Sequence, residues 1–152
     1  MEFDWDSHKC IFHPDGSLRD IYVFNTNEDD WDKLLAFAKE EGAVFIVDGD
    51  RRPMPDHISM VNFGASAQIV AFRRGALDIN CHFFTLDEIE MDIDPKQVSD
   101  QSGFDCVLSF LRDLGRALNR NAVLTEESSP QSVWFSYDAS HDTLTSSPRK
   151  NR

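Results

Sequence analysis

The stretch that decides the fold runs from Gln68 to Asp94: Gln-Ile-Val-Ala-Phe-Arg-Arg-Gly-Ala-Leu-Asp-Ile-Asn-Cys-His-Phe-Phe-Thr-Leu-Asp-Glu-Ile-Glu-Met-Asp-Ile-Asp. Strand-sized apolar runs at Gln68–Arg73, Leu77–Phe84 and Ile89–Asp94 are parted by gaps too short for a crossover helix. Parallel neighbours need a dozen or more connecting residues, so these runs predict an antiparallel meander. A further strand over Ile58–Phe63 would precede them, set off by Gly64-Ala65-Ser66.

Helical patterns flank the meander. Upstream, Trp31, Leu34, Leu35 and Ala38 form one apolar stripe at i, i+3, i+4 and i+7. Thr26-Asn27-Glu28-Asp29 has the form of a capping box before the stripe, and Gly42 supplies a stop after it. Downstream, Phe104, Val107, Leu108, Leu111, Leu114 and Leu118 keep helical spacing over about four turns. Ser102-Gly103-Phe104-Asp105 offers a start, and Gly115 lies inside as a weakening residue. Ala43–Val47 reads as a buried strand, Asp48–Asp56 as a loop, and Val123–Thr125 and Val133–Tyr137 as two late strands. Near the start, Cys10–Phe12 and Leu18–Phe24 flank the turn segment His13-Pro14-Asp15-Gly16-Ser17 and predict a hairpin. The expected fold is α+β, a mostly antiparallel sheet with two main helices packed on it, in one domain over residues 1–144. The polar, basic stretch 145–152 is expected to be a disordered tail.

The 152 residues carry 15 Lys+Arg against 27 Asp+Glu, a net charge of −12, with 12 Phe, three Trp and two Tyr to build a core. A surface this acidic argues against direct contact with nucleic-acid phosphates or an anionic membrane. The acidic N-terminus lacks the layout of a secretory signal, and no apolar run approaches the roughly 20 residues of a membrane span. Cys10, Cys81 and Cys106 are odd in number and form no C-x-x-C pair, so they read as reduced thiols of a cytosolic protein.

The strongest local feature is Asp-Glu-Ile-Glu-Met-Asp-Ile-Asp at 87–94. In a strand, Ile89, Met91 and Ile93 take one face and Glu88, Glu90, Asp92 and Asp94 the other. The bland account is a solvated edge strand whose charges discourage aggregation. The functional account is a docking row for a cationic partner. Residues 1–50 hold 13 acids against four bases, and Glu28, Asp29 and Asp30, with Asp32, make a second acidic patch at the first helix start. Such fields speed encounter with a basic protein.

Other constellations are weaker. His8, Cys10 and His13 form H-x-C-x2-H, short of the four ligands of a structural zinc site. Asp48-Gly49-Asp50, with Asp4 and Asp6 or with the row at 88–94, could offer carboxylates to Mg²⁺ beside Arg51-Arg52. That arrangement is the basis of an alternative reading as a metal-dependent hydrolase using clustered carboxylates. No G-x-S-x-G, Gly-rich phosphate loop or cofactor motif is present, and His82, beside Cys81 and Phe83, reads as a core or surface histidine. No catalytic or metal-binding residues are assigned. Arg112, Arg116 and Arg120 line one helix face and are expected to pair with Asp105, Asp113 or acids of the sheet.

Three segments carry a resemblance. They are Asp15-Gly-Ser-Leu-Arg-Asp-Ile-Tyr-Val23 leading into Asp30-Trp-Asp-Lys-Leu-Leu35, the helix Phe110-Leu-Arg-Asp-Leu-Gly-Arg-Ala-Leu118, and Val123-Leu-Thr-Glu-Glu127 followed by Val133-Trp-Phe-Ser-Tyr-Asp138. Together they resemble the bacterial immunity proteins of contact-dependent growth inhibition and other polymorphic toxin systems. The resemblance implies a one-domain cytosolic protein, not an enzyme and without a cofactor, that neutralises the C-terminal domain of one cognate toxin, often a nuclease. Members diverge widely and share no catalytic motif, so no residue role is carried over. A nuclease presents a basic surface, which the acids Glu88, Glu90, Asp92, Asp94, Glu28, Asp29 and Asp30 would meet, with Trp5, Trp31 or Trp134 as aromatic anchors. A third reading is an acidic adaptor for some other basic protein.

Overall fold

In the computed structural model, which describes residues 2–64 and 67–147, strands β1 (Arg19–Phe24), β2 (Val44–Val47), β3 (Asp50–Arg52), β4 (Gln68–Arg74), β5 (Leu77–Thr85), β6 (Glu88–Ile93), β7 (Ala122–Glu126), β8 (Ser129–Asp138) and β9 (Thr143–Ser146) form one sheet. Its order is β3-β2-β4-β5-β6-β1-β7-β8-β9, and every pairing is antiparallel. Three helices accompany it: α1 (Trp5–His8), α2 (Glu28–Glu40) and α3 (Gln101–Leu118). This is the expected α+β architecture, with α2 and α3 as its two main helices.

The central meander β4-β5-β6 lies where the periodicity puts it. Strand β1 enters between β6 and β7, pairing Arg19 with Ile93 on one side and with Glu126 on the other. One face of the sheet is apolar: Ile21, Val23, Ile79, Cys81, Ile89, Met91, Ile93 and Leu124 are all at most 1% exposed. The helices lie on this face. Trp31 of α2 stacks on Phe83, and Phe110 of α3 meets Phe72 edge to face. Asn27 caps α2 and Asp30 closes the box at the third helical position, one residue later than the Thr26 reading. The α3 cap is Asp100, whose side chain accepts from Gly103 N–H. Gly115 sits against the Tyr137 ring, so closely that a Cβ would lie 2.1 Å from Cδ2.

Several expectations fail locally. Cys10–Phe12 is not a hairpin strand but part of a 3-10 turn, Lys9–Phe12, that follows α1. Its shape is set by Arg19, which is 4% exposed and donates from Nε to Ile11 O (2.6 Å) and from Nη2 to His13 O (3.0 Å). Ile58–Phe63 holds a 3-10 turn at Ile58–Met60 rather than a strand, anchored by Ile58 N–H donating to Asp32 (2.7 Å). The 48–56 loop contains β3, because Asp48 and Gly49 both take positive φ and close a tight two-residue hairpin. Thr145 and Ser146, expected in a disordered tail, belong to β9, opposite Ser136 and Phe135. Ser147 N–H donates to Trp134 O (2.9 Å), and the remainder of that tail, 148–152, lies outside the described residues.

Candidate functional site: an acidic sheet face

Strand alternation turns Asp20, Tyr22 and Phe24 of β1, Asn80, His82 and Phe84 of β5, and Glu88, Glu90 and Asp92 of β6 away from the helices. Register places Asp20 beside Asp92, Tyr22 beside Glu90, and Phe24 beside Glu88. On the other flank, His82 lies beside Glu90 and Asn80 beside Asp92. Strand β6 is therefore interior to the sheet, and the edge-strand account of its charges does not apply.

The groups on this face are tied together. His82 Nε2 is 2.5 Å from Asp92 Oδ2, and its ring stacks flat on Phe84, centroids 4.9 Å apart. Tyr22 donates its hydroxyl to Asp20 Oδ2 (3.2 Å) and stacks on Phe24 (5.2 Å). The β7–β8 turn reaches the same carboxylate, with Ser128 N–H donating to Asp20 Oδ2 (2.7 Å). Asp20 and Tyr22 are thus withdrawn from solvent, whereas Phe84 is 60% exposed.

The carboxylates feel one another. Burial, then the charge of Asp92 and Glu127, holds the Asp20 carboxyl above its ordinary range, against the hydrogen bonds from Ser128 and Tyr22. Burial and the neighbouring Asp20 and Glu88 push Glu90 up, and burial with Asp87 pushes Glu88 up. The hydrogen bond to Asp92 raises His82, with Glu90 and Asp20 adding to it against the opposing effect of burial. This is a set of anions sharing one field, in which each ionisation disfavours the next.

Elsewhere many acids have a basic partner: Asp15 with Arg19, Asp29 with Lys33, Glu41 and Asp113 with Arg74, Asp56 with Lys39, Asp78 with Arg73 and Asp142 with Arg116. Among the described residues no Lys or Arg forms an ion pair with Asp20, Glu88, Glu90 or Asp92, and the basic side chain bonded to this set is the His82 imidazole, at Asp92.

The sequence-derived residues fare unequally. Glu88, Glu90 and Asp92 stand on this face. Asp94 lies just beyond β6 and caps a 3-10 turn, accepting from Lys96 N–H (2.9 Å). The second patch is brought to the same end of the sheet as Glu88, because Thr26 donates to Leu86 O and Asp87 O and Trp31 Nε1 donates to Leu86 O. Glu28 and Asp29 are exposed there. Asp30 is not part of any surface: it is 3% exposed, closes the α2 capping box and receives Arg120 at 3.0 Å. Its companion arginines also pair away from their own helix, Arg112 with Glu2 and Arg116 with Asp142, in place of Asp105 and Asp113.

None of the proposed tryptophan anchors adjoins the row. Trp31 is fully buried and Trp134 is 7% exposed. Trp5 packs on Phe12 and Phe104. The exposed aromatic beside the acids is Phe84. Together with Asp20, Tyr22 and His82, it is a residue sequence reasoning missed. Parity along Asp20-Ile-Tyr-Val-Phe24 was readable, but nothing local says that β1 lies beside β6.

The acid sets suggested for a metal are not assembled. Asp48 and Asp50 flank the β2–β3 turn, with β4 and β5 lying between that hairpin and Glu90. Among the described residues no group of three or more His, Cys, Asp or Glu is placed to hold a metal ion, His8, Cys10 and His13 included. The three cysteines are free thiols, and burial raises that of Cys81 far above its ordinary range. No helix among the described residues is long and apolar enough to cross a membrane. A scan against protein-family models, a search of curated proteins and a search of solved structures each return no match.

Proposed function

We propose that this chain is a toxin-neutralising immunity protein, which binds a basic, nuclease-type toxin domain in the cytoplasm through the sheet face of Glu88, Glu90 and Asp92, and performs no catalysis. The observation that carries this reading is the run of carboxylates on β1 and β6 that have no Lys or Arg partner among the described residues, in a molecule that pairs many of its other acids. Desolvating those carboxylates costs less against a partner that supplies arginine or lysine, and like charges already crowd them, so a cationic surface relieves strain as it binds. Phe84 adds an exposed ring on which a guanidinium can stack. Glu28 and Asp29 extend the negative field past one end of the row. Free cysteines fit a reducing compartment.

The test is co-expression with the polypeptide encoded by the neighbouring gene, followed by affinity measurement across salt. The expected result is a stable complex whose association slows as salt rises, and which Glu88→Lys with Glu90→Lys weakens at least a hundredfold while leaving the fold intact. A complex indifferent to both salt and charge reversal refutes the surface. Failure to capture a basic neighbour, with growth unprotected, refutes the function.

A further inference from the structure

At the end of β1 and β6 remote from Glu88 lies an apolar groove of about 480 Å³, walled by Trp5, Phe12, Pro14, Pro95 and Val98. It forms where the segment read as a hairpin strand instead turns back on the sheet. Each wall is pinned separately. Trp5 N–H donates to Gln101 Oε1 (2.8 Å), and Gln101 Nε2 donates to Phe3 O (2.9 Å), fixing α1 to the start of α3. The buried Arg19 guanidinium holds the Ile11–His13 backbone. The Asp94 carboxylate holds the turn at Pro95–Gln97, and Gln97 bonds Asp78 in both directions (2.8 and 3.0 Å). The groove is thus formed before any ligand arrives, and its size is within the usual range of about 300–1,000 Å³ for small-molecule sites.

Its rim is cationic in an anionic protein. Lys9 and Lys96 are both exposed at the groove. Lys96 has no ion-pair partner among the described residues, and Lys9 meets only Asp6, at 3.7 Å across solvent. Among the described residues no Asp or Glu lines the groove itself; of the acids just outside it, Asp94 accepts from the Lys96 backbone N–H, Asp4 caps α1 and Asp100 caps α3. Charges more than a Debye length of about 8 Å away are screened, and the charged side chains that line the groove are these two ammonium groups.

We propose that this groove binds an apolar organic carboxylate, its hydrocarbon or aromatic body lying on Trp5, Phe12 and Val98 and its carboxylate between Lys9 and Lys96. The site is independent of the acidic face and of the partner assigned to it. Neutral molecules of the same shape gain the apolar contact alone. Cations of that shape are repelled.

The full-length protein is titrated with 8-anilinonaphthalene-1-sulfonate, itself an aromatic anion, and the dye is then displaced with octanoate or octanol. The expected result is dye binding, with octanoate displacing it at a concentration at least tenfold below that of octanol. In the Lys9→Glu/Lys96→Glu variant, whose altered residues are exposed and whose melting temperature is expected to be unchanged, that preference disappears. Trp5→Ala weakens both competitors. Absence of dye binding, equal displacement by octanoate and octanol, or a preference that survives the lysine reversal each overturns the proposal.

Discussion

Gly115 is the position where a routine stabilising change should fail. It lies within α3, where replacing glycine by alanine at an open site gains about 1 kcal/mol of helix propensity. Here a Cβ would stand 2.1 Å from Tyr137 Cδ2, 2.6 Å from Cε2 and 3.0 Å from Cγ. The Tyr137 ring is 2% exposed and has no room to retreat. Its hydroxyl donates to Asp142 Oδ1 (2.6 Å), which also receives Arg116 (2.7 Å). Overpacking of this kind costs about 1–3 kcal/mol, and dislodging a hydrogen bond to a charged group costs about 1.5–3 kcal/mol more. After the propensity gain, Gly115→Ala is expected to destabilise by about 1.5–5 kcal/mol. For a chain of this length that lowers the melting temperature by about 3–20 °C. Urea unfolding followed by tryptophan fluorescence measures it. In a Tyr137→Ala background the same substitution should turn neutral or stabilising, because the obstructing ring is gone. If Gly115→Ala raises the midpoint in the otherwise native chain, the ring does not occupy the glycine's space and the packing argument is wrong.

Arg19→Ala should cost about 3 kcal/mol, because it strips buried carbonyls of charge-assisted donors, and Arg19→Lys should rescue little since one ammonium cannot span Ile11 O and His13 O; chemical denaturation reads both. Asp30→Ala removes the α2 capping box and the Arg120 pair together and should cost about 2–4 kcal/mol in the same assay, whereas Asp29→Ala, which loses an exposed pair, should change little. Stability should fall as pH rises through the titration of His82. Its folded-state pKa is raised, so its contribution is complete below its unfolded value of about 6.5 and is lost as the imidazole deprotonates. The raised carboxyls of Asp20, Glu88 and Glu90 act in the same direction at lower pH, while Asp15 and Asp142, each held near about 2 chiefly by side-chain hydrogen bonds from Ser17 and Arg116, contribute stability above their unfolded values and lose it in strong acid. Asp92→Asn should flatten the His82 limb of a melting-temperature profile between pH 5 and 9; an unaltered limb would show that the His82–Asp92 bond does not control it.

Legibility follows how local each determinant is. The stripes of α2 and α3 and the alternation in β4, β5 and β6 are written in consecutive residues, and these elements lie where the pattern puts them. The N-terminal segment was not legible, because Lys9–Phe12 is shaped by a guanidinium several residues downstream and α1 before it is tied down by Gln101 of α3. Strand β3 was signalled by Asp48-Gly49 but masked by the arginines and prolines around it. In β9, Thr-Leu-Thr-Ser is too short and polar to stand out, and it is a strand because β8 offers it an edge. Within the candidate site the parity of Glu88, Glu90 and Asp92 was explicit, whereas Asp20, Tyr22 and His82 join them only through pairings between strands distant in sequence. Asp30 looked like surface charge, and its partner Arg120 lies just past the end of the other main helix, 90 residues away in sequence.

The place of β1 at the middle of the sheet has a consequence for synthesis. Both of its neighbours are translated long after it: β6 closes the meander and β7 follows α3. At roughly 5–20 residues per second, β1 leaves the ribosome on the order of 5–20 s before β7 exists. Once β6 has been made β1 can join the β2–β6 half of the sheet, but until β7 follows α3 its other edge, Arg19–Tyr22, has no strand to pair with. The pairing of β1 with β7, which joins the two halves of the sheet, therefore waits until α3 has been made, and the nascent chain carries an open sheet edge to chaperones and proteases until then.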